Sequence, residues 1–128
     1  MSRFLLLATI VLLLTGCGAS APAVQSGTGI QGVVESGPTC PVERINSPCP
    51  PHPLAATVVV SNSQGVEVTR FHTGADGRFK VNLAPGAYTL LGQSIGGSGM
   101  PPRPIPTTVT VTKGTYVTVN VEYDSGIR

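Results

Sequence analysis

From Gly29 onward, glycine and proline cut the sequence into short apolar runs, and this punctuation restricts the fold more than any other feature of the chain. Within the runs Val, Thr and Tyr dominate, and apolar residues alternate with polar ones instead of recurring at helical spacing. That is the pattern of strands with one buried and one wet face. Val117, Val119, Val121 and Tyr123 alternate with Thr118, Asn120 and Glu122, and Phe79, Val81 and Leu83 alternate with Lys80 and Asn82. The pattern predicts seven strands, near Gly29–Ser36, Ala55–Ser61, Val66–His72, Arg78–Leu83, Ala87–Gln93, Thr107–Thr112 and Tyr116–Tyr123. Between them lie Asn62-Ser63-Gln64-Gly65, Gly74-Ala75-Asp76-Gly77, Ala84-Pro85-Gly86 and Lys113-Gly114. These segments supply Gly where φ is positive and Pro where φ is fixed, so consecutive strands are expected to pair mostly antiparallel through hairpins. A lone sheet would leave one apolar face uncovered. The expected fold is therefore all-β, a seven-stranded antiparallel two-layer sandwich. The 16 Gly, 12 Pro and 11% charged residues argue against an all-helical chain.

Residues 1–16 are of a different character. Arg3 is their only charge, and Phe4–Leu14 is an unbroken apolar run, shorter than the roughly 20 residues that span a bilayer. A core helix would show a polar face at helical spacing, and this run shows none. A positive charge, an apolar stretch and then small residues are the three parts of a secretory signal. Leu14-Thr15-Gly16-Cys17 resembles the lipobox of bacterial lipoproteins. The resemblance implies cleavage before Cys17, a diacylglycerol thioether on its sulfur and acylation of the new amino terminus. Two or more acyl chains anchor stably, where one is marginal. Gly18–Thr28 is small, polar and uncharged, the composition of a flexible tether. The expected organisation is a signal peptide over 1–16, a lipidated Cys17 with its tether over 17–28, and a globular domain over 29–128. In a host with two membranes, Gly18 in place of an acidic residue is similar to outer-membrane sorting. The expected location is the extracytoplasmic side of the cell envelope.

The globular part carries a family resemblance. Its residues are Gly32 and Val34, Ala56-x-Val58, Thr73-x3-Gly77-x-Phe79-x-Val81-x-Leu83-x-Pro85-Gly86-x-Tyr88-x-Leu90, and the later Val109-x-Val111-x2-Gly114 hairpin. Together they resemble carboxypeptidase regulatory-like domains, which implies a prealbumin-like sandwich that binds, assists or spaces and has no catalytic machinery. The residues make physical sense in that frame: Gly77 ends a tight turn, Phe79 fills the core, Pro85-Gly86 turns the chain, and the Tyr88 hydroxyl seeks a backbone partner.

The run Cys40-Pro41-Val42-Glu43-Arg44-Ile45-Asn46-Ser47-Pro48-Cys49-Pro50-Pro51-His52-Pro53 has no place in a generic sandwich. In an exported chain whose Cys17 is lipidated, Cys40 and Cys49 remain to form a disulfide. The same residues admit a second reading, in which Cys40, Cys49 and His52 hold copper or zinc as thiolate and imidazole ligands. His72 or Met100 could complete such a site. The first reading requires no metal.

Several function classes find no residues to carry them. No Gly-rich phosphate loop opens a helix, no nucleophile elbow marks a Ser, His and Asp set, and the six acidic residues are dispersed. The hydroxyisourate hydrolases that share the prealbumin-like fold end in a Tyr-Arg-Gly-Ser signature. This chain ends Tyr123-Asp124-Ser125-Gly126-Ile127-Arg128. A formal charge of +2 is too small and scattered for nucleic acid. The expectation is a non-enzymatic, cofactor-free binding, scaffold or spacer module on a membrane, with an envelope protein or a glycan as the open choices of partner. Glycan sites favour aromatic platforms, whereas this chain has no Trp, and of Tyr88, Tyr116 and Tyr123 two are expected in the core. The Pro-rich Gly96–Pro106 loop could dock in an aromatic groove or simply connect strands.

Overall fold

A computed structural model describes residues 24–42, 44–97 and 99–128. The expected signal segment 1–16, Cys17 and the first part of the expected tether lie outside them. Ten strands and no helix occur among the described residues: β1 (Gly29–Gly37), β2 (His52–Pro53), β3 (Thr57–Asn62), β4 (Glu67–His72), β5 (Arg78–Asn82), β6 (Gly86–Gly92), β7 (Arg103–Pro104), β8 (Thr107–Val111), β9 (Tyr116–Thr118) and β10 (Val121–Asp124). They form two sheets. One is a four-stranded antiparallel sheet in the order β4-β3-β6-β8. The other is built around β1, whose first half pairs with β5 and β9 and whose second half pairs with β2 and β10, with β7 beyond β10.

The expected count of seven differs for two physical reasons. The run expected as one strand over Tyr116–Tyr123 is two, because Asn120 Oδ1 accepts the Val33 N–H and interrupts the ladder. Register is kept across the break, since Gln31 faces Thr118 and Val34 faces Val121. β2 and β7 are short strands in proline-rich runs, where the missing N–H of Pro53 and Pro104 is tolerated at sheet margins. The expectation of an antiparallel sandwich is also corrected, because β1 runs parallel to both β9 and β10. The first and last runs of the domain therefore lie side by side, which no hairpin could join.

The core follows the alternation. Ile30, Val34, Phe79, Leu83, Val121 and Tyr123 of the β1 layer pack against Val58, Val60, Leu90, Val109 and Val111 of the other. Burying side chains of this size contributes about 1.5–3 kcal/mol each before entropy is counted. Val117 and Val119 keep the inward parity and are half-buried against the same cluster. Tyr88 packs there too, and its hydroxyl donates to the Ala84 carbonyl at 2.6 Å, the backbone partner expected for it. Gly77 has φ +67° and closes a turn by donating to Gly74 O, while a side chain there would strike the Val34 carbonyl.

The expected tether joins the fold before its predicted end at Thr28. The Thr28 side chain is buried, its Oγ1 accepts the Gly114 N–H at 2.9 Å, and its carbonyl accepts the Leu83 N–H. Gly27 donates its N–H to the Tyr116 hydroxyl. A small polar composition thus proves compatible with a seam between two strands.

Candidate functional site

Two surfaces concentrate the polar chemistry of the described residues. The first is the stapled loop that follows β1. Cys40 and Cys49 are joined by a disulfide, nine positions apart with Cα atoms 6.0 Å apart. Arg44 and Ser47 form an isolated antiparallel bridge at the tip, with the Ser47 N–H donating to Arg44 O. The loop presents Val42 and Ile45 to solvent, the latter fully exposed. Its root is tied to the chain's end: the Ser125 N–H donates to Gly37 O at 3.0 Å, and Ser125 Oγ donates to Pro38 O at 2.5 Å. Thr39 Oγ1 donates to Pro50 O across the base.

The disulfide sets the state of both sulfurs in the fold. The sulfurs of Cys40 and Cys49 are bonded to each other, so neither is a thiolate, the form a metal ligand requires. His52 lies exposed on β2, paired with Ser36, and no group of three or more His, Cys, Asp or Glu side chains comes together among the described residues. His72, at the end of β4, shares a 2.7 Å hydrogen bond between Nδ1 and Thr57 Oγ1, and Met100 is exposed on a loop. The residues named as metal ligands are not assembled. Closing a loop of this size stabilises by roughly 2.7 kcal/mol in the chain-entropy account. Prolines 41 and 48 already restrict the unfolded loop, so Cys40→Ser/Cys49→Ser is expected to lose that amount or less in urea unfolding while the sandwich still folds.

The tail and the Pro-rich loop are structural in their local contacts. Arg103 donates from Nε and Nη2 to Gly99 O, and β7 pairs with the end of β10, so residues 99–104 of the Pro-rich loop fold back on the sheet. Arg128 and Asp124 form an ion pair at 2.8 Å, and Asp124 Oδ1 also accepts the Gly126 N–H, an Asx turn at the strand exit. The Arg128 hydrogen bond, then the Gly126 N–H, hold the Asp124 carboxyl at about 2. Because the folded value lies below the unfolded one, this pairing is present above the ordinary carboxylate range and is lost as pH falls toward 2. Carboxyl-detected NMR titration should place Asp124 near that value, and Arg128→Ala should return it toward the ordinary range.

The second surface is the outer face of the β1 layer. Residues on β5, β1 and β9 stand in register there: Lys80 faces Gln31, which faces Thr118. In the next row Arg78 faces Val33, whose N–H reaches Asn120 Oδ1. These side chains line a shallow hollow of about 570 Å³. At one end Tyr116 donates its hydroxyl to Asn82 Oδ1 at 2.5 Å, and Lys80 Nζ stands 4.3 Å from its ring centroid. At the other end Asn120 Nδ2 donates to Glu35 at 3.5 Å, with Glu122 facing Glu35 on the neighbouring strand. Neither Arg78 nor Lys80 has an ion pair among the described residues; the two pairs that form there are Arg70–Glu67 and Arg128–Asp124. Sequence reasoning did not single out this surface. Its members lie far apart in the chain, and the pairing of β1 with β5 on one side and β9 on the other brings them together.

The chain matches no family model and no curated protein. Among solved structures twelve chains match, including the Bacillus anthracis TIE protein at 20% identity and a TM-score of 0.50. The likeness is one of fold. It covers 77% of this chain and 17% of that one, so the region shared is a small part of the larger protein. It agrees with the all-β sandwich expected from the alternation and turns.

Proposed function

We propose that this chain is an extracytoplasmic lipoprotein, anchored through Cys17, whose carboxypeptidase regulatory-like, prealbumin-like sandwich acts as a non-catalytic binding or scaffold module of the cell envelope. The observation that carries this reading is how the cysteines divide. Two of the three are joined to each other in the folded domain, a pairing at home in oxidising compartments. The third, Cys17, stands at the end of the lipobox-like Leu14-Thr15-Gly16 run, behind a charge and an apolar stretch. The residues after it are small and uncharged up to the first strand, which lets the domain stand off a membrane. The reading of the domain as a module that binds and does not catalyse is supported by its resemblance to carboxypeptidase regulatory-like domains, and by polar contacts that serve the fold, such as Tyr88 to Ala84 O and Asp124 to Arg128 at a strand exit. Labelling with radioactive palmitate tests the anchor. The natural chain is expected to take up label and fractionate with membranes, and Cys17→Ser to lose both. Label retained by Cys17→Ser would refute it.

A further inference from the structure

We propose that the outer face of the β1 layer is a binding site for an acidic glycan, a sugar chain bearing carboxylates, with Arg78 and Lys80 as the cationic contacts. The proposal rests on the reading of this domain as a binding module and names its ligand class. Four observations converge on it. Arg78 and Lys80 lie on one face of β5, alternate with the inward Phe79, and have no acidic partner among the described residues. Beside them stand groups that donate to and accept from hydroxyls: the Gln31 amide and the Thr118 hydroxyl, set in adjacent strands by the register, with Asn120 lining the hollow beyond them. Arg78, Lys80, Gln31 and Thr118 are carried on paired strands, so their backbone positions are fixed before binding and only side chains remain to be ordered. The surface is a shallow hollow open to solvent, which leaves room for a chain longer than one sugar.

The same features disfavour a lipid surface as occupant. A membrane-binding face buries exposed apolar side chains among the headgroups, yet the large exposed apolar residues, among them Ile45, Met100 and Leu91, lie elsewhere. Tyr116 contributes in a way not evident from its sequence position. Lys80 covers its ring while Asn82 Oδ1 accepts a hydrogen bond from its hydroxyl, which holds the ring, and the ammonium over it, beside the hollow. A sugar carboxylate lodged between Arg78 and Lys80 would gain charge-assisted hydrogen bonds, with its hydroxyls reaching Gln31 and Thr118. Glu35 and Glu122 mark the far end of the face, and repulsion there would set the direction in which an acidic chain can lie.

Isothermal titration of the full chain, purified in detergent, against alginate oligomers tests the site, with neutral dextran oligomers and phosphatidylglycerol vesicles as the other arms. The expected result is saturable binding to alginate, none to dextran, and a loss of about tenfold or more in Arg78→Ala/Lys80→Ala with unchanged melting. Lys113→Ala removes one positive charge from the turn between β8 and β9, outside the residues that line the hollow, and should bind as the natural chain does. Failure to bind alginate, equal binding to dextran, equal loss in Lys113→Ala, or binding confined to the vesicles would each overturn the proposal. A chain that takes up palmitate yet ignores alginate fails only this inference, and one that binds alginate without being lipidated fails only the anchor.

Discussion

Tyr123→Ala is expected to lower the unfolding free energy by about 3–5 kcal/mol, the range for emptying a large aromatic site in a core. Tyr123 is 1% exposed and belongs to β10, in the β1 layer. Its ring lies across Gly92 of β6 in the opposite sheet, and its hydroxyl donates to the Gln93 carbonyl at 2.7 Å. One side chain thus supplies packing and a hydrogen bond between the layers. Tyr123→Phe keeps the ring and removes the donor, so it should cost only about 1 kcal/mol. The same contact requires Gly92 to lack a side chain, because a Cβ there would overlap the Tyr123 hydroxyl. Urea unfolding of the two Tyr123 variants separates the contributions; equal losses would mean that the ring's packing is not what holds the sheets together.

Gly32→Ala should be damaging although it adds a single methyl group. A Cβ at Gly32 would fall onto the carbonyl oxygen of Val119, at the break between β9 and β10. There the Val119 N–H donates to Gln31 O at 2.8 Å, and the Asn120 side chain takes the Val33 N–H in place of a backbone carbonyl. The obstacle is backbone and cannot rotate away. The loss is therefore expected at the upper end of roughly 1–3 kcal/mol for overpacking, or above it. Gly65→Ala meets no atom within 4 Å and would cost only what its left-handed backbone imposes. Amide exchange would localise the damage, with Val33, Val34 and Val119 losing protection first. A fully protected β1 in Gly32→Ala would contradict the close approach.

The legibility of the fold varied with the range of the interaction. Local signals read well: the alternation at Phe79, Val81 and Leu83 marks β5 and the inward Leu83 that follows it. Gly77 closes its turn, and the Tyr88 hydroxyl finds a backbone carbonyl four residues away. These depend on a few neighbouring residues and on chirality. The parallel pairing of β1 with β9 and β10 joins positions at opposite ends of the domain, and no periodicity specifies a partner. β2 and β7 were obscured by proline, which suppresses the strand signal even where a margin can accept it.

The candidate surfaces divide in the same way. Cys40 and Cys49 were legible because few cysteines and a short separation leave few pairings. The alternative ligand set is not assembled among the described residues, where the disulfide joins both sulfurs and His52 is placed by its pairing with β1. The Lys80–Gln31–Thr118 row was invisible in the sequence, since it exists only once three strands are in register. The half-buried Tyr116 is another such case, because its ring is covered by a lysine on the outer face and not by the core.

Two properties of the protein are decisive: where the chain is cut and what its three cysteines carry. Intact-mass measurement of the chain extracted from the membranes of an expressing bacterium, without reductant, reads both at once. The account predicts a chain beginning at Cys17, heavier by a diacylglycerol and an amino-terminal acyl group, and lighter by the two hydrogens lost in joining Cys40 to Cys49. An unacylated chain in the soluble fraction, or one that retains residues 1–16, would contradict it.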